Sequence, residues 1–474
     1  MRCLCLILFI FTGSITFGKD VVKLSGKIDH PLSDSVLISY NDNRIAYFPK
    51  EYYAHVDKNG NFSISFPVPA GIYIQADLVH GRKVSEMILH SGDSLYMTAD
   101  AAHFDSTVHY KGRGSEVANF VCLHTLERGR MNRYTIKIKA AISKPSGDFL
   151  KEIATERFGE EGFLNLHKAG LPPGFIRYCT AYFQYYNYFF TQQYPQVHEM
   201  IKRRKYTDSI PEENFRVLTE MPYVFNDTLL QVPSYLLYLT GVFEIKLKAA
   251  GYGASGNDPD KMRQVEDSIY RLCYKILPPK SAEYYIAQSL YSKVKFQDAA
   301  RTDSLFNTFK KHWPVSEYLP LLNKQISMAK RLAKGQPAPD FSIITPEGKS
   351  LRLSDLKGKV VYLSFWASGC KQCVGEMINE KRIKGQLKNT QVEFVYLSID
   401  EDTTTSNLLV SKFNLGGIFT HAKGGWYAKE VQLYGVQGLP AYFLIDKEGK
   451  FALQNTPSPG DPKQLISEIE QLTR

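Results

Sequence analysis

Residues 360–373 read VVYLSFWASGCKQC, an apolar run that leads directly into Cys370 and Cys373. The run from Val360 to Phe365 predicts a buried β-strand, and a helix is expected to begin at Cys370. A spacing of three residues at a helix N-terminus places both sulfurs on one face, within reach of a disulfide. Unpaired N–H groups and the macrodipole favour a thiolate on Cys370, the attacking species in disulfide exchange. We therefore predict that Cys370 attacks and that Cys373 resolves the mixed disulfide.

The same cysteine spacing also occurs in half of a zinc site. A structural zinc ion takes four ligands, so a second pair of Cys or His residues at short spacing would be expected nearby. The chain has no cysteine after Cys373, and His421 is its one histidine beyond His312. The redox interpretation is therefore favoured, and it requires no metal and no organic cofactor.

A second element lies near the C-terminus, where residues 435–446 read GVQGLPAYFLID. Pro440 stands immediately before a predicted strand, residues 441–445. Further motifs are PDF at residues 339–341, LSDLKGK at residues 353–359, and Glu376 three residues after Cys373. With these motifs, residues 335–474, about 30% of the chain, resemble the TlpA and ResA branch of the thioredoxin family. Members of this branch are exported, often membrane-tethered disulfide reductases.

The resemblance implies an α/β thioredoxin fold and further site residues. The peptide bond between Leu439 and Pro440 is expected to be cis and to face the cysteines, where the Leu439 backbone would pair with a substrate strand. An ordinary trans proline is the alternative. Trp366 and Gly369 are expected beside this substrate-binding surface. Glu376 is expected to relay a proton to the thiols, and an exposed first-turn glutamate is the alternative.

Three positions depart from the resembled family. Gly369 stands where relatives usually carry Trp, and Gln372 stands where many carry Pro. Ser364 occupies the strand position at which thioredoxin itself has a buried acid. These changes affect the substrate-facing rim and the redox poise, so the sequence predicts the reaction class and leaves its direction open.

The remainder of the chain divides by pattern into a leader and two further regions. Residues 1–18 contain Arg2, an apolar run and small residues, as a secretory signal peptide does. Residues 19–112 alternate apolar and polar positions between turns, which predicts a β-sandwich-like domain. Residues 113–334 have helical periodicity and predict an α-helical middle domain, followed by the thioredoxin-like domain at 335–474. The layout resembles the regions ahead of TlpA-like domains in Bacteroidota envelope proteins.

The predicted signal peptide places the protein in the periplasm or cell envelope. An uncleaved signal that anchors the chain is the alternative, and membrane contact is expected only in that case. The net charge of +10 is modest for 474 residues, and the basic run at residues 202–205 adjoins a helical pattern. No nucleic-acid partner is therefore expected.

Cysteines and aromatic residues outside the predicted site are interpreted as packing. Cys3 and Cys5 would leave with the signal peptide, and Cys122, Cys179 and Cys273 are scattered singles that are expected to be buried apolar fillers. Residues 178–190 hold eight aromatic side chains. Core packing is favoured for them over a groove for peptide or sugar.

These observations predict a periplasmic thiol:disulfide oxidoreductase. It would reduce disulfides in a client protein and be restored by an upstream membrane thiol reductant. A disulfide-forming oxidase or isomerase with the same pair is the alternative within this class. A peroxiredoxin is disfavoured, because Leu363 and Ala367 occupy the places of its required Pro and Thr or Ser. An envelope binding protein with a vestigial redox domain is the alternative of another class.

Overall fold

The computed structural model describes residues 21–46, 49–131, 140–202, 211, 213–214, 225–249, 259–294, 299–344, 348–387, 391–413, 416–453 and 456–474. The predicted signal peptide and most of the basic run at 202–205 lie outside these ranges. Contacts group the chain into two compact units, Met1–Gln288 and Ser289–Arg474. The boundaries that the sequence predicts after residues 112 and 334 stay predictions.

The first unit begins with short strands. They are β1 (Val21–Asp29), β2 (Ser35–Tyr40), β3 (Lys50–His55), β4 (Asn61–Pro67), β5 (Tyr73–His80), β6 (Lys83–His90), β7 (Ser94–Asp100) and β8 (His109–Arg113). One sheet has the order β4-β1-β7-β8, and the other has the order β3-β2-β5-β6. Both sheets contribute to one apolar core, for example with Leu24 and Phe66 from the first and Ile38 and Leu78 from the second. The sheets therefore form the β-sandwich-like arrangement that the alternating pattern predicts.

Helices make up most of the rest of this unit. They are α1 (Phe104–Thr107), α2 (Ser115–Arg128), α3 (Ser146–His167), α4 (Pro173–Lys202), α5 (Pro233–Ala249), α6 (Pro259–Ile276) and α7 (Pro279–Lys293), whose last five residues belong to the second unit. Helix α4 carries the aromatic run, and its Tyr182 and Phe183 are each 1% exposed. Cys179 and Cys273 are fully buried, and Cys122 packs against the sandwich core. The predicted burial is confirmed for Cys179, Cys273 and six of the eight rings of the run, whereas Cys122 is only partly buried.

The second unit continues with helices and then alternates strands with helices. Its elements are α8 (Ala299–His312), α9 (Leu319–Arg331), β9 (Ser342–Ile344), β10 (Ser350–Arg352), β11 (Val360–Trp366), α10 (Lys371–Gln386), β12 (Val392–Ser398), α11 (Thr403–Phe413), β13 (Ile418–His421), α12 (Lys429–Leu433), β14 (Ala441–Ile445) and α13 (Pro462–Thr473). A helix long and apolar enough to span a bilayer does not occur in the described parts of either unit.

A four-stranded sheet organises the second unit, in the order β13-β12-β11-β14. Strands β11, β12 and β13 run parallel, and β14 is antiparallel to β11. Side chains of β11 alternate between two apolar clusters, with Leu363 in one and Tyr362 in the other. Helices α10 and α13 contribute Met377 and Leu465 to the Tyr362 cluster, and α12 contributes Val431 to the Leu363 cluster. Helices thus cover both faces of the central strand, which is the thioredoxin fold predicted for this region.

Candidate active site

Cys370 and Cys373 lie where β11 passes into α10. All seven residues of β11 are buried, so the sheet fixes the point at which the chain turns towards the helix. The two cysteines form a disulfide with their Cα atoms 5.2 Å apart. Cys370 is the N-cap residue of α10, and its Sγ accepts a hydrogen bond from the Cys373 N–H at 3.1 Å. The predicted pairing of the sulfurs at a helix N-terminus is confirmed.

The two cysteines differ in exposure. Cys373 is 3% exposed and belongs to the apolar cluster that contains Trp366 and Met377, whereas Cys370 is half-buried at the edge of that cluster. An approaching disulfide can therefore reach the Cys370 sulfur before the Cys373 sulfur. Within the described part of the chain, no group of three or more His, Cys, Asp or Glu residues is placed to hold a metal ion.

Asp400 fixes the loop that precedes Cys370. Its carboxylate accepts hydrogen bonds from the Ser368 N–H at 2.9 Å, the Ser368 hydroxyl at 2.9 Å and the Ser398 hydroxyl at 2.7 Å. The His421 ring contacts the Asp400 carbonyl from β13. Our sequence analysis missed Asp400. Its position just after β12 could have predicted it. The carboxyl ends of neighbouring parallel strands lie at one edge of a sheet, so a residue that follows β12 lies near the loop that follows β11.

The segment before β14 approaches the same cluster. The Leu439–Pro440 peptide bond is cis, as the family resemblance implies. Leu439 is half-buried and packs against the clusters on both faces of the sheet, one of which includes the two cysteines. Trp366 is 2% exposed within that cluster. Its side chain therefore lies beneath the surface at the cysteines and does not form part of that surface, where the sequence analysis expected it.

Comparisons with known proteins match this region of the chain. The Redoxin family matches residues 333–467. Thiol-disulfide oxidoreductase ResA of Bacillus cereus is 33% identical over 147 residues, which cover 31% of this chain and 83% of that protein. ResA of Bacillus anthracis is 38% identical over 120 residues, covering 25% of this chain and 68% of that protein. This chain belongs to the ResA/TlpA-like family of thiol-disulfide oxidoreductases.

A solved thiol-disulfide oxidoreductase from Bacteroides fragilis also resembles this ResA-like chain. The two are 23% identical with a TM-score of 0.27, and the match covers 29% of this chain and 99% of the other.

Glu376 lies one helical turn after Cys373 in this oxidoreductase. It is half-buried, and its Oε2 accepts a hydrogen bond from the Asn379 side-chain amide at 3.1 Å. Gly460 packs close to the other carboxylate oxygen, where an added Cβ would lie 3.0 Å from Oε1. The carboxyl group therefore lies between α10 and the segment before α13. Its role in proton transfer stays a prediction.

A buried acid and a buried base lie further along α10, and sequence analysis missed both. Glu380 is 2% exposed, and burial raises its pKa to about 7. Burial lowers the pKa of Lys384 to about 8, and its Nζ lies 4.5 Å from the centre of the Phe394 ring and 4.8 Å from that of Tyr396. Tyr396 also neighbours Glu380, and burial raises the pKa of its phenol well above 10.0. Protons can therefore be held in the interior of this oxidoreductase, one to two turns beyond Glu376.

Two of the positions that depart from the resembled family differ in the space around them. Gly369 is exposed, and an added Cβ there meets no atom within 4 Å, so the site can accept the larger residue that relatives carry. Ser364 is 3% exposed in the middle of β11 and places a hydroxyl where thioredoxin has a buried acid. The buried carboxyl of Glu380 therefore projects from α10 and not from the central strand β11.

Proposed function

We propose that this oxidoreductase reduces disulfides of client proteins in the periplasm, with Cys370 as nucleophile and Cys373 as resolving thiol. The observation that carries the proposal is the unequal exposure of the two sulfurs at the start of α10. The half-buried Cys370 can meet a client, while the nearly buried Cys373 can attack only what is already bound to Cys370. A buried resolving thiol limits the lifetime of the mixed disulfide.

The proposed exchange moves two electrons to the client in two displacements. The Cys370 thiolate attacks one client sulfur, a mixed disulfide forms, and the other client sulfur leaves as a thiolate and takes up a proton. The Cys373 thiolate then attacks the Cys370 sulfur, which closes the Cys370–Cys373 disulfide and releases the second client thiol. In this proposal the Cys370–Cys373 disulfide, the form present in the structure, is the state that the pair reaches after each turnover.

Further residues have supporting roles in the proposal. Gly369, Leu439 and Pro440 form the rim that meets the client, and the Leu439 backbone pairs with an extended client strand. Trp366 supports this rim from inside the apolar cluster. Glu376 accepts and returns the proton of the Cys373 thiol, because it lies half-buried one turn away on the same helix.

A thiol reductant in the membrane restores the dithiol by the reverse exchange. This donor is needed because each turnover leaves the pair oxidised. The periplasmic location rests on the sequence of residues 1–18, a basic start and a short apolar run that ends in small residues. N-terminal sequencing of the mature protein from a periplasmic fraction tests it, and a start at Lys19 is expected.

Trapping tests the roles of the cysteines. Cys373→Ser leaves the mixed disulfide unresolved, so client proteins should accumulate on Cys370 and disappear when the sample is treated with dithiothreitol. The matched variant Cys370→Ser removes the exposed nucleophile and should trap nothing. Equal trapping by the two variants would show that the exposure difference does not decide which sulfur attacks.

The direction of electron flow is tested by the reduction potential of the Cys370–Cys373 pair. A reductase is expected near the thioredoxin value of about −270 mV, and a strong oxidase near about −120 mV. The potential is obtained by equilibrating the full chain in glutathione or dithiothreitol buffers and quantifying the reduced fraction. A value close to the oxidase end would favour the disulfide-forming alternative.

A further inference from the structure

Residues 437–440 present backbone groups that the second unit leaves unpaired. They lie between α12 and β14 and take part in no backbone–backbone hydrogen bond within the described part of the chain. Gln437 and Gly438 are exposed, and Leu439 and Pro440 are half-buried. Unpaired N–H and C=O groups in an accessible segment can pair with a strand of another polypeptide. In the proposed function, the position of these four residues therefore decides how a client strand docks.

This segment has little stiffness of its own. Gly438 lies within it and Gly435 shortly before it, and glycine loses more conformational freedom on ordering than any other residue. An added Cβ at Gly438 meets no atom within 4 Å, so neighbouring side chains do not confine the chain at this point. A docking strand would have to pay the entropy of ordering these residues unless the protein already holds them in place.

Helix α9 holds the chain immediately before this segment. Gly435 has a φ of +58°, and an added Cβ would lie 2.8 Å from Met328 Cγ, so the backbone passes directly against the helix. Arg331, at the end of α9, donates from Nη2 to the Leu433 carbonyl at 3.2 Å. The end of α12 and the turn that follows it are therefore fixed on α9.

The side chain of Gln437 continues this attachment into the segment itself. Its Nε2 donates to the Tyr291 hydroxyl at 2.8 Å and to Gln325 Oε1 at 3.0 Å. Gln325 is 6% exposed on α9, so Gln437 supplies a donor to a side chain that is largely removed from water. Tyr291 is half-buried in the part of α7 that belongs to the second unit. Two hydrogen bonds thus fix the chain two residues before Leu439.

The residues that hold Gln437 precede the part of the chain that matches the Redoxin family. That match covers residues 333–467, and both Tyr291 and Gln325 lie before it. We propose that Gln437, held by Tyr291 and Gln325, is a positioning residue that orders residues 437–440 for an incoming client strand. The inference rests on the proposed function and gives helical residues outside the family match a part in client binding. Ordering the segment in advance lowers the entropy cost of docking, so it acts on client affinity and not on the chemistry of the cysteines.

Steady-state kinetics of the full chain with two disulfides tests this role, with dithiothreitol as the electron donor. Insulin offers polypeptide strands, whereas hydroxyethyl disulfide has no peptide group and can react at Cys370 without docking along residues 437–440. Gln437→Ala should raise the KM for insulin about fivefold with little change in kcat, the signature of lost substrate binding. Its kcat/KM for hydroxyethyl disulfide should stay within about twofold of the parent value. Gln471→Ala, at an exposed position on α13, is the matched control and should change neither reaction.

Variants of the two partners separate positioning from direct contact and from stability. Tyr291→Phe and Gln325→Leu each remove one hydrogen bond with little change in volume, and each should raise the KM for insulin as Gln437→Ala does. A rise in Gln437→Ala alone would mean that Gln437 itself contacts the client, and would overturn the proposal. Equal losses on both disulfides together with a lower Tm would assign the contacts to stability and overturn it as well. A parent chain that reduces hydroxyethyl disulfide but not insulin would instead contradict the client-reducing function.

Discussion

Asp400 shows how one carboxylate positions the redox pair without touching it. Its oxygens accept the Ser368 N–H and the hydroxyls of Ser368 and Ser398, which ties the loop before Cys370 to the end of β12. Three donors on one charged group hold this loop more firmly than neutral hydrogen bonds would. The orientation of Cys370 therefore depends on a residue 30 positions later in the chain.

Asp400→Ala should loosen that loop. Several donors would lose a charged acceptor, so the free energy of unfolding of the second unit should fall by about 1–3 kcal/mol. Insulin reduction should slow as well, because Cys370 loses its fixed position. Urea unfolding can be followed by tryptophan fluorescence, and the turnover assay runs on the same samples. Glu401→Ala, at the exposed neighbouring position, is the matched control and should leave both measurements near the parent values.

Glu380 should give the second unit a distinct pH dependence. Burial raises its pKa from the ordinary 4.5 to about 7, so the folded state holds a proton that the unfolded chain releases earlier. Stability is therefore fully present below about pH 4.5 and falls as the pH rises towards 7. The side chain of Glu380→Gln cannot ionise. The loss of unfolding free energy between pH 4.5 and 7 should therefore be smaller than in the parent protein, by on the order of 2 kcal/mol.

The measurement is a series of urea unfolding curves between pH 4.5 and 7. Glu470→Gln, on the exposed side of α13, serves as the control and should keep the parent slope. Parallel slopes for the parent and Glu380→Gln would mean that Glu380 does not titrate in this window.

At this scale the sequence predicted the reacting atoms and missed their electrostatic surroundings. Cys370 and Cys373 could be found because their spacing at one strand–helix junction brings the two sulfurs together, whereas Glu376 was suggested by the family resemblance and its role stays a prediction. Glu380 and Lys384 follow at intervals of four, which is the pattern of an exposed ion pair on a helix surface. Only the packing of Phe394 and Tyr396 over α10 makes them interior groups, and that packing comes from another strand.

Strand β13 depends on a glycine at its start. Gly417 has a φ of +125°, and an added Cβ would lie 2.6 Å from the Phe394 carbonyl oxygen and 3.0 Å from Lys384 Nζ. Both the backbone conformation and the close approach to β12 favour glycine. The adjacent Gly416 has no atom within 4 Å of an added Cβ.

This pair of glycines gives a matched test. Gly417→Ala should destabilise the second unit by about 1–3 kcal/mol, because it strains the backbone and displaces either the β12 carbonyl or the Lys384 side chain. Gly416→Ala should change the unfolding free energy by less than about 0.5 kcal/mol. Tryptophan-monitored urea unfolding measures both variants. A larger loss for Gly416→Ala than for Gly417→Ala would contradict the packing described for β13.

Elements with strong local signals were predicted well. Strand β14 begins and ends at the predicted residues, β11 begins at Val360 as predicted and ends one residue later than predicted, and α10 begins directly after its N-cap residue Cys370. These segments combine continuous apolar runs with recognisable caps. Strand β13 was missed because it is four residues long and half-buried along its whole length, so no alternation distinguishes it from a loop.

For the whole molecule, the two units can be followed separately in one sample. The three tryptophans are Trp313, Trp366 and Trp426, and all of them lie in Ser289–Arg474. Fluorescence therefore reports on the redox unit alone, whereas circular dichroism reports on the helices and strands of both units. The sequence predicted the β-sandwich-like and helical regions from their periodicity, but not which distant segments pack against one another.

Thiol reactivity should divide the cysteines of the whole chain into classes. Cys179 and Cys273 are fully buried, burial raises the pKa of Cys122 to about 11, and Cys370 and Cys373 are tied in a disulfide. If residues 1–18 have been removed, the folded, oxidised protein should therefore show no fast reaction with a thiol reagent at pH 8, since the reactive species is an accessible thiolate. A fast-reacting thiol in that shortened chain before reduction would contradict the low reactivity expected of Cys122, Cys179 and Cys273.

Denaturation without reductant extends this thiol count to the N-terminus. Exposed Cys122, Cys179 and Cys273 should give three reactive thiols if residues 1–18 have been removed, and five if Cys3 and Cys5 remain as free thiols.

Mild reduction of the folded protein should then expose a fast thiol at Cys370 and a slower one at Cys373, because only the first reaches solvent. The Cys373→Ser variant keeps only the fast-reacting Cys370 thiol of the pair, and the Cys370→Ser variant keeps only the slow-reacting Cys373 thiol. Equal rates in these two variants would remove the exposure difference on which the proposed order of attack depends.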